Sequence, residues 1–233
     1  MYEGIKINIP LEESEKLELY EGSWKEIETG KRKERFENCG VPMKFFNASF
    51  DTFEVENQEQ KENLNKVQQF AVAPKNRVLI LSGNNGTGKT HLGVSVLTEN
   101  EGLFRTSENI CIEYDSASDF HSKLTRLEVL KKYISVKMLV IDECGKYTIR
   151  QDLERFLLSY IVRNRYENNL PTVLITNGEI KEFIEFLGKA VYDRLVEVCT
   201  TVTFRQKSLR GKFRLVVGEV KDNKLKLEGA GNE

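Results

Sequence analysis

One eight-residue segment constrains this chain more than any other feature: Gly83-Asn84-Asn85-Gly86-Thr87-Gly88-Lys89-Thr90. It matches the pattern G-x-x-x-x-G-K-[ST], follows the apolar run RVLILS and leads into the helical pattern HLGVSVLTEN. Glycines permit backbone conformations in which successive N–H groups turn inward, and the start of the helix adds a partial positive charge. The segment is therefore predicted to bind the phosphates of a nucleotide.

The residue types in this loop define the expected ligands, ATP and Mg²⁺. Lys89 is expected to reach the β- and γ-phosphates, and the Thr90 hydroxyl is expected to bind the metal ion. His91 follows directly and completes the predicted contacts. The predicted ATP-binding residues are Gly83, Asn84, Asn85, Gly86, Thr87, Gly88, Lys89, Thr90 and His91.

An acidic pair follows the buried run MLVI in the segment MLVIDECG. Asp142 is predicted to hold Mg²⁺ through water, as the Walker B aspartate does. Glu143 is predicted to act as the general base that polarises the attacking water. The alternative is an ordinary acidic pair at the end of a strand.

A polar amide ends the next apolar run, PTVLITN. Ligands of open α/β folds collect at the carboxyl edge of the sheet, so Asn177 is predicted to act as a sensor that holds the water or the γ-phosphate. The alternative is a turn-forming residue, because Asn177 precedes Gly178.

Short apolar runs alternate with amphipathic stretches through the middle of the chain, which predicts the α/β fold class. Strands are predicted in RVLILSG, NICIEYDS, KMLVIDE, PTVLITN and TVTFR. This order predicts a five-stranded parallel sheet covered by helices on both faces, a three-layer sandwich. KMLVID and TVLIT lack polar alternation, so they are predicted to be central strands.

Three regions are predicted along the chain. Residues 1–45 are rich in charge and are expected to form a short N-terminal arm, a candidate partner-binding segment. Residues 46–212 are expected to form the core, entered through a buried helix in NLNKVQQFAV. Residues 213–233 are expected to form a C-terminal β-hairpin and tail, with the turn at Asp222 and Asn223.

Composition excludes several classes of protein. The 233 residues include 35 basic and 36 acidic side chains, for a net charge of −1, so any nucleic-acid contact must be local. The four cysteines form no C-x-x-C pair, which argues against a zinc site or a disulfide framework. No apolar run spans a bilayer and no signal peptide is evident, so we expect a cytoplasmic protein without membrane contact.

The segment DSASDFHSKLTRLEVLKKY is the best local candidate for contact with single-stranded DNA. On a helix beginning near Ser118, basic side chains would follow a phosphate backbone while an aromatic ring stacks on a base. The residues concerned are Phe120, Lys123, Arg126, Lys131 and Lys132. The alternative is a normal amphipathic helix with Leu124, Leu127 and Leu130 facing inward.

Several segments in this order resemble one family, the DnaC-type helicase loaders and their IstB-type relatives, a branch of the AAA+ ATPases. The likeness runs from about Phe36 to Lys212. The segments are RFENCGVPMKFFNASFDTF, GNNGTGKTHL, DSASDF, LVIDECG, RNRYENNLPTVLITN, YDRL and FRQKSLR. The resemblance implies a P-loop AAA+ (ASCE) fold with little or no C-terminal helical lid.

The resemblance also implies roles for two arginines outside the loop motifs. Arg194, in YDRL, would be an arginine finger supplied to a neighbouring subunit, so that subunits associate through the ATP site. Arg210, in SLR, would be a second sensor. For each, the alternative is a surface arginine.

The family implies an ATPase that binds single-stranded DNA and a hexameric replicative helicase, with hydrolysis as the release switch and slow, DNA-stimulated turnover. The alternatives are a transposition helper of the IstB type, a small-molecule P-loop kinase and a nucleotide-gated adaptor. The short N-terminal arm has no cysteine-rich zinc module, so the resemblance leaves the partner open. The predicted C-terminal hairpin extends beyond the family pattern.

Overall fold

The computed structural model describes residues 30, 33–34, 36–74, 77–117, 123–146 and 148–205. Five strands of β-branched and apolar residues form the centre of this part of the chain. They are β1 (Val78–Gly83), β2 (Gly102–Thr106), β3 (Met138–Cys144), β4 (Thr172–Thr176) and β5 (Cys199–Phe204).

Seven α-helices with fully described bounds connect and flank these strands. They are α1 (Gln58–Val72), α2 (Lys89–Glu99), α3 (Ser107–Ser116), α4 (Arg126–Ser135), α5 (Gln151–Glu167), α6 (Ile180–Leu187) and α7 (Lys189–Val198). Short 3₁₀ turns lie at Met43–Phe45 and Thr148–Arg150. None of the helices in the described part of the chain combines the length and apolarity that crossing a bilayer requires.

The sheet is five-stranded and parallel throughout, with strand order β2-β3-β4-β1-β5. The interior strands β3 and β4 are buried along nearly their whole length, as their unbroken apolar runs predict. Because all five strands run the same way, the loops that follow β1, β3 and β4 meet at one edge of the sheet. This edge carries the loop of residues 83–90, the acidic pair Asp142 and Glu143, and Asn177.

Helices cover both faces of the sheet, so the predicted three-layer sandwich is confirmed. One core lies between the sheet and helices α1 and α2, and it also includes Phe36, Cys39 and Val41. The second core lies between the other face and helices α3 to α7. Helix α2 packs so closely that a Cβ atom on Gly93 would lie 2.6 Å from Ile175 Cδ1.

The strand predicted in NICIEYDS is wrong, because residues 107–116 form helix α3. The hydroxyl oxygen of Thr106 accepts a hydrogen bond from the Asn109 N–H and caps this helix. The strand that pairs with β3 is instead the preceding segment, Gly102–Thr106. Ile110 is buried whereas Ile112 is 48% exposed, which is not the burial of alternating strand positions.

The helix in the candidate DNA segment begins later than predicted. Thr125 and Glu128 form a reciprocal capping box, so α4 starts at Arg126 rather than near Ser118. Of the three leucines expected to face inward, only Leu130 is buried, while Leu124 and Leu127 are about half exposed. Val129 and Tyr133 fill the interior positions instead.

Several expectations concern residues outside the described ranges. These are the arm before residue 30, the hairpin after residue 212 and any lid after residue 205. The boundary expected between residues 45 and 46 stays a prediction. Residues 36–45 nevertheless contribute buried side chains to the same core as α1 and α2.

Candidate active site

The loop between β1 and α2 is bent at its glycines. Gly86 and Gly88 have φ angles of +75° and +92°, in the left-handed region that other residues rarely adopt. A Cβ atom on Gly88 would also lie 2.5 Å from the ring of Phe53. The sequence therefore needs glycine at this position both for conformation and for space.

The ammonium group of Lys89 lies at the mouth of this loop. Its Nζ donates hydrogen bonds to the carbonyl oxygens of Gly83, at 2.8 Å, and Asn84, at 2.5 Å. Thr87 is fully buried and its hydroxyl donates to the Asn84 carbonyl at 2.9 Å, which braces the loop from below. A buried cation beside the N-terminus of a helix suits an anionic ligand such as a phosphate.

A hydroxyl and a carboxylate meet at the floor of the site. Thr90, in the first turn of α2, donates a hydrogen bond to Asp142 Oδ2 at 2.8 Å. Burial raises the pKa of Asp142, while hydrogen bonds from Thr90 and from the N–H of Glu143 act in the opposite direction. Mg²⁺ prefers oxygen ligands, and it would relieve the buried carboxylate, so this pair fits the ion.

Glu143 follows Asp142 at the end of β3 and is exposed. It has a φ angle of +58°, which is rare for a residue with a side chain, and its N–H donates to Asp142 Oδ1 at 2.7 Å. Its Oε1 lies 3.8 Å from Lys146 Nζ. The carboxylate is thus solvent-accessible beside a buried metal-binding candidate.

One cavity of about 320 Å³ brings the predicted groups together. Asn177 lies on its wall with the loop, the acidic pair and part of the segment before α1. The lining residues are Phe45, Thr52, Phe53, Glu54, Asn85, Gly86, Gly88, Lys89, Thr90, His91, Asp142, Glu143 and Asn177. Of the other predicted contacts, Gly83 and Asn84 supply carbonyl groups to Lys89.

The segment before α1 forms a wall that the motifs did not predict. Phe45, Thr52, Phe53 and Glu54 come from this segment. His91 anchors it, since His91 Nε2 lies 2.8 Å from the carbonyl oxygen of Ser49 and must carry the proton there. The aromatic run FFNASFDTF is the sequence signal that could have indicated this wall. Its contact with the glycine loop depends on the fold and could not be predicted from the sequence.

The structure does not bring Arg194 to this cavity. Arg194 lies on α7, where it donates to the carbonyl of Ala190 at 2.8 Å and pairs with Glu167 at 3.3 Å. Its guanidinium lies 5.9 Å from the ring centroid of Tyr166. Arg210, the other predicted arginine, lies outside the described residues, so both roles stay predictions.

The basic residues proposed for DNA contact differ in their surroundings. Lys123 and Lys131 are exposed, whereas Lys132 pairs with Glu113 at 2.8 Å. Arg126 lies 3.9 Å from Asp115 and over the ring of Tyr114. Phe120 lies outside the described residues. The DNA contact stays a prediction.

Three features define a P-loop protein of the AAA+ class. They are the strand order, the glycine loop of residues 83–90 with Lys89, and the acidic pair at the end of β3. Residues 24–216 match the family described as IstB-like ATP binding protein. The chain belongs to this family of ATP-binding proteins.

One curated relative and one solved structure are similar to this chain. The chain is 29% identical over 176 residues to the replicative helicase loader DnaC of Escherichia coli strain K12, covering 71% of this chain and 69% of that protein. It also resembles the crystal structure of the DnaC helicase loader, with a TM-score of 0.61 at 23% identity, covering 70% of this chain and all of that one.

A replication initiator shares the fold more distantly. The structure of DnaA bound to AMPPCP and single-stranded DNA has a TM-score of 0.55 at 14% identity, covering 67% of this chain and 50% of that one. At this identity the likeness concerns the fold alone.

Proposed function

We propose that this chain is an ATP-dependent loader for a hexameric replicative helicase, with ATP hydrolysis as its release switch. The observation that supports this most is the convergence of Lys89, Asp142 and Glu143 on one cavity. They occur in a chain that is similar in sequence to a replicative helicase loader.

In the binding step, the N–H groups of the glycine loop and the Lys89 ammonium hold the phosphates. Thr90 and Asp142 hold Mg²⁺ from the floor of the cavity. MgATP supplies the γ-phosphoryl group that water attacks, with the cation neutralising charge on the phosphate oxygens. This binding closes an oligomer of the chain around single-stranded DNA or against the ring helicase, and hydrolysis releases it.

In the hydrolytic step, Glu143 accepts a proton from the attacking water, and the products are ADP and phosphate. Glu143 is exposed and lines the cavity, so water can reach its carboxylate there. The Asn177 amide holds that water or the γ-phosphate in line. Arg194 of a neighbouring subunit stabilises the charge that develops on the phosphate, so the complete site forms between subunits.

Single-stranded DNA is the proposed second partner. The exposed Lys123 and Lys131 are the basic side chains available for a phosphate backbone near α4. With a net charge of −1, the chain has no global attraction for DNA, so contact is confined to such a patch. We expect slow turnover that single-stranded DNA stimulates.

The family match favours one other function, that of a transposition helper which uses the same ATP site to recruit a transposase. A small-molecule kinase is a weaker alternative because the acidic pair and Asn177 favour water as the nucleophile. An adaptor that hardly hydrolyses ATP is weaker for the same reason.

The Glu143→Gln variant tests the proposal. Glutamine keeps the size and polarity of the side chain but cannot accept the proton, so ATP binding is expected to persist. Turnover is expected to fall by about 10²- to 10⁴-fold. Phosphate release and equilibrium nucleotide binding measure the two effects separately.

The same variant identifies the partner, because an ATP-bound state that does not turn over should retain it. Pull-down from the native host with ATP present is expected to recover a hexameric helicase. Recovery of a transposase would instead support the helper function. Hydrolysis equal to wild type would remove Glu143 from the mechanism.

A further inference from the structure

The backbone that carries Glu143 has an unusual conformation. Glu143 and Gly145 have φ angles of +58° and +77°, and the pairing of β3 with β4 shifts register between Ile141 and Cys144. A side chain at positive φ disfavours this geometry, so other contacts must hold it.

Three polar side chains hold this backbone at consecutive residues. Ser107 Oγ donates to the Glu143 carbonyl at 3.0 Å, and Thr176 Oγ1 donates to the Cys144 carbonyl at 3.0 Å. The N–H of Gly145 donates to Glu154 Oε1 at 2.7 Å. The three side chains come from α3, β4 and α5. Three separate elements therefore hold the turn at residues 143–145.

Glu154 is the unexpected member of this set. Its side chain is fully buried, on a helix face where the neighbouring interior residues Leu157 and Leu158 are apolar. A carboxyl group is rarely buried, because it loses its hydration. A leucine would pack here at less cost, but it would offer no acceptor to the Gly145 N–H.

We infer that Glu154 is a positioning residue for ATP hydrolysis: by accepting the Gly145 N–H it fixes the turn that directs Glu143 into the nucleotide cavity. Glu154 does not line that cavity, so it acts through the backbone and not on the nucleotide. The inference rests on the proposed role of Glu143 as general base. It assigns to α5 a part in catalysis that none of the sequence motifs suggests.

The Glu154→Met variant is the direct test, because methionine has a similar volume but no comparable acceptor. We expect kcat to fall by about 10- to 100-fold, as misplacement of a catalytic group does. The KM for ATP is expected to change little, since Lys89 and Thr90 are not held by this turn. Glu154→Gln keeps an Oε1 acceptor and is expected to recover most of the lost kcat.

Two variants of the same helix serve as controls. Asp152→Asn changes a side chain that is 96% exposed, and it is expected to leave kcat and KM unchanged. Leu157→Ala removes a fully packed side chain, so it is expected to lower the melting temperature. The folded fraction of Leu157→Ala should retain the kcat of wild type.

The outcomes separate the inference from the proposed function. If wild type hydrolyses ATP, Glu143→Gln does not, and Glu154→Met keeps the kcat of wild type, the inference is wrong and the function stands. If Glu143→Gln hydrolyses ATP as fast as wild type, the proposed role of Glu143 fails. Amide hydrogen exchange at Gly145, measured by NMR without nucleotide, then tests the hydrogen bond from Gly145 to Glu154. Faster exchange in Glu154→Met supports this bond, and unchanged exchange contradicts it.

Discussion

At the scale of single residues, the site depends on placing a carboxylate where water cannot fully hydrate it. Asp142 is 6% exposed, and its burial raises the pKa of the carboxyl group. A carboxylate with little hydration to lose binds a cation more strongly than an exposed one. Its partner Thr90 is also a proposed metal ligand, and the hydrogen bond between the two residues links the first turn of α2 to β3.

A second carboxylate, Glu113 on α3, joins three elements on the far side of the sheet. It accepts hydrogen bonds from Arg105 of β2 and from Lys132 and Tyr133 of α4. Burial raises the pKa of Glu113, but these hydrogen bonds outweigh it and hold the pKa below its usual 4.5. The ionised form therefore stabilises the fold.

This network predicts a pH-dependent contribution to stability. Because the folded pKa of Glu113 is depressed, its contribution is complete above pH 4.5 and is lost as the pH falls through the folded pKa. Glu113→Gln is expected to lower the free energy of unfolding at neutral pH by on the order of 1 kcal/mol, allowing for solvent screening. Urea unfolding of both proteins from neutral to acidic pH measures this, and a difference that stays constant would contradict it.

At the scale of elements, local signals explain what the sequence predicted and what it missed. The glycine loop of residues 83–90 and the acidic pair were predictable because each motif is contiguous and lies at the end of a strand. The strand predicted at 109–116 was wrong because Ile110 and Ile112 alternate as strand residues do. The cap of α3 at Thr106 was the competing signal, and it prevailed.

Other parts of the site were beyond sequence reasoning because they depend on contacts between distant residues. The ring of Phe53 lies against Gly88 of the glycine loop, so close that a side chain at position 88 would clash with it. Glu154 reaches the turn after Glu143 from inside α5, where its sequence context is that of an ordinary helix. Such roles follow from how layers pack and have no fixed spacing in the chain.

Arg165 illustrates the same point at the opposite end of α5. It is fully buried and donates to main-chain carbonyls that include those of Tyr133, Val136 and Pro171. Burial lowers its pKa to about 9, which leaves the guanidinium charged at neutral pH. Arg165 thereby joins the end of α4 to the start of β4, and buried polar side chains hold α5 near both of its ends.

At the scale of the whole molecule, the arrangement of Arg194 suggests an incomplete site. The arginine lies outside the cavity of its own chain and pairs with Glu167, which is more than half exposed. Exposed pairs contribute little stability, so this contact can be exchanged for a phosphate of a neighbour. The proposed site between subunits accounts for an arginine that does not line the cavity of its own chain.

Mixing two inactive variants tests this arrangement. Glu143→Gln keeps Arg194 but lacks the base, whereas Arg194→Ala keeps the base but lacks the finger. In an equal mixture, half of the sites have the intact base, and half of these receive the intact arginine from the neighbouring subunit. Random pairing should therefore restore roughly a quarter of the wild-type turnover. Turnover no greater than the sum of the two separate variants would show that Arg194 is not supplied between subunits.

The central claim is that the glycine loop and Lys89 bind the triphosphate of MgATP at the carboxyl edge of the sheet. Isothermal titration calorimetry of MgATP into wild type and Lys89→Ala tests it most directly. Saturable binding to wild type, with binding to a folded Lys89→Ala reduced at least about tenfold, is the predicted result. No heat of binding to wild type, or equal affinity in the two proteins, would contradict the account.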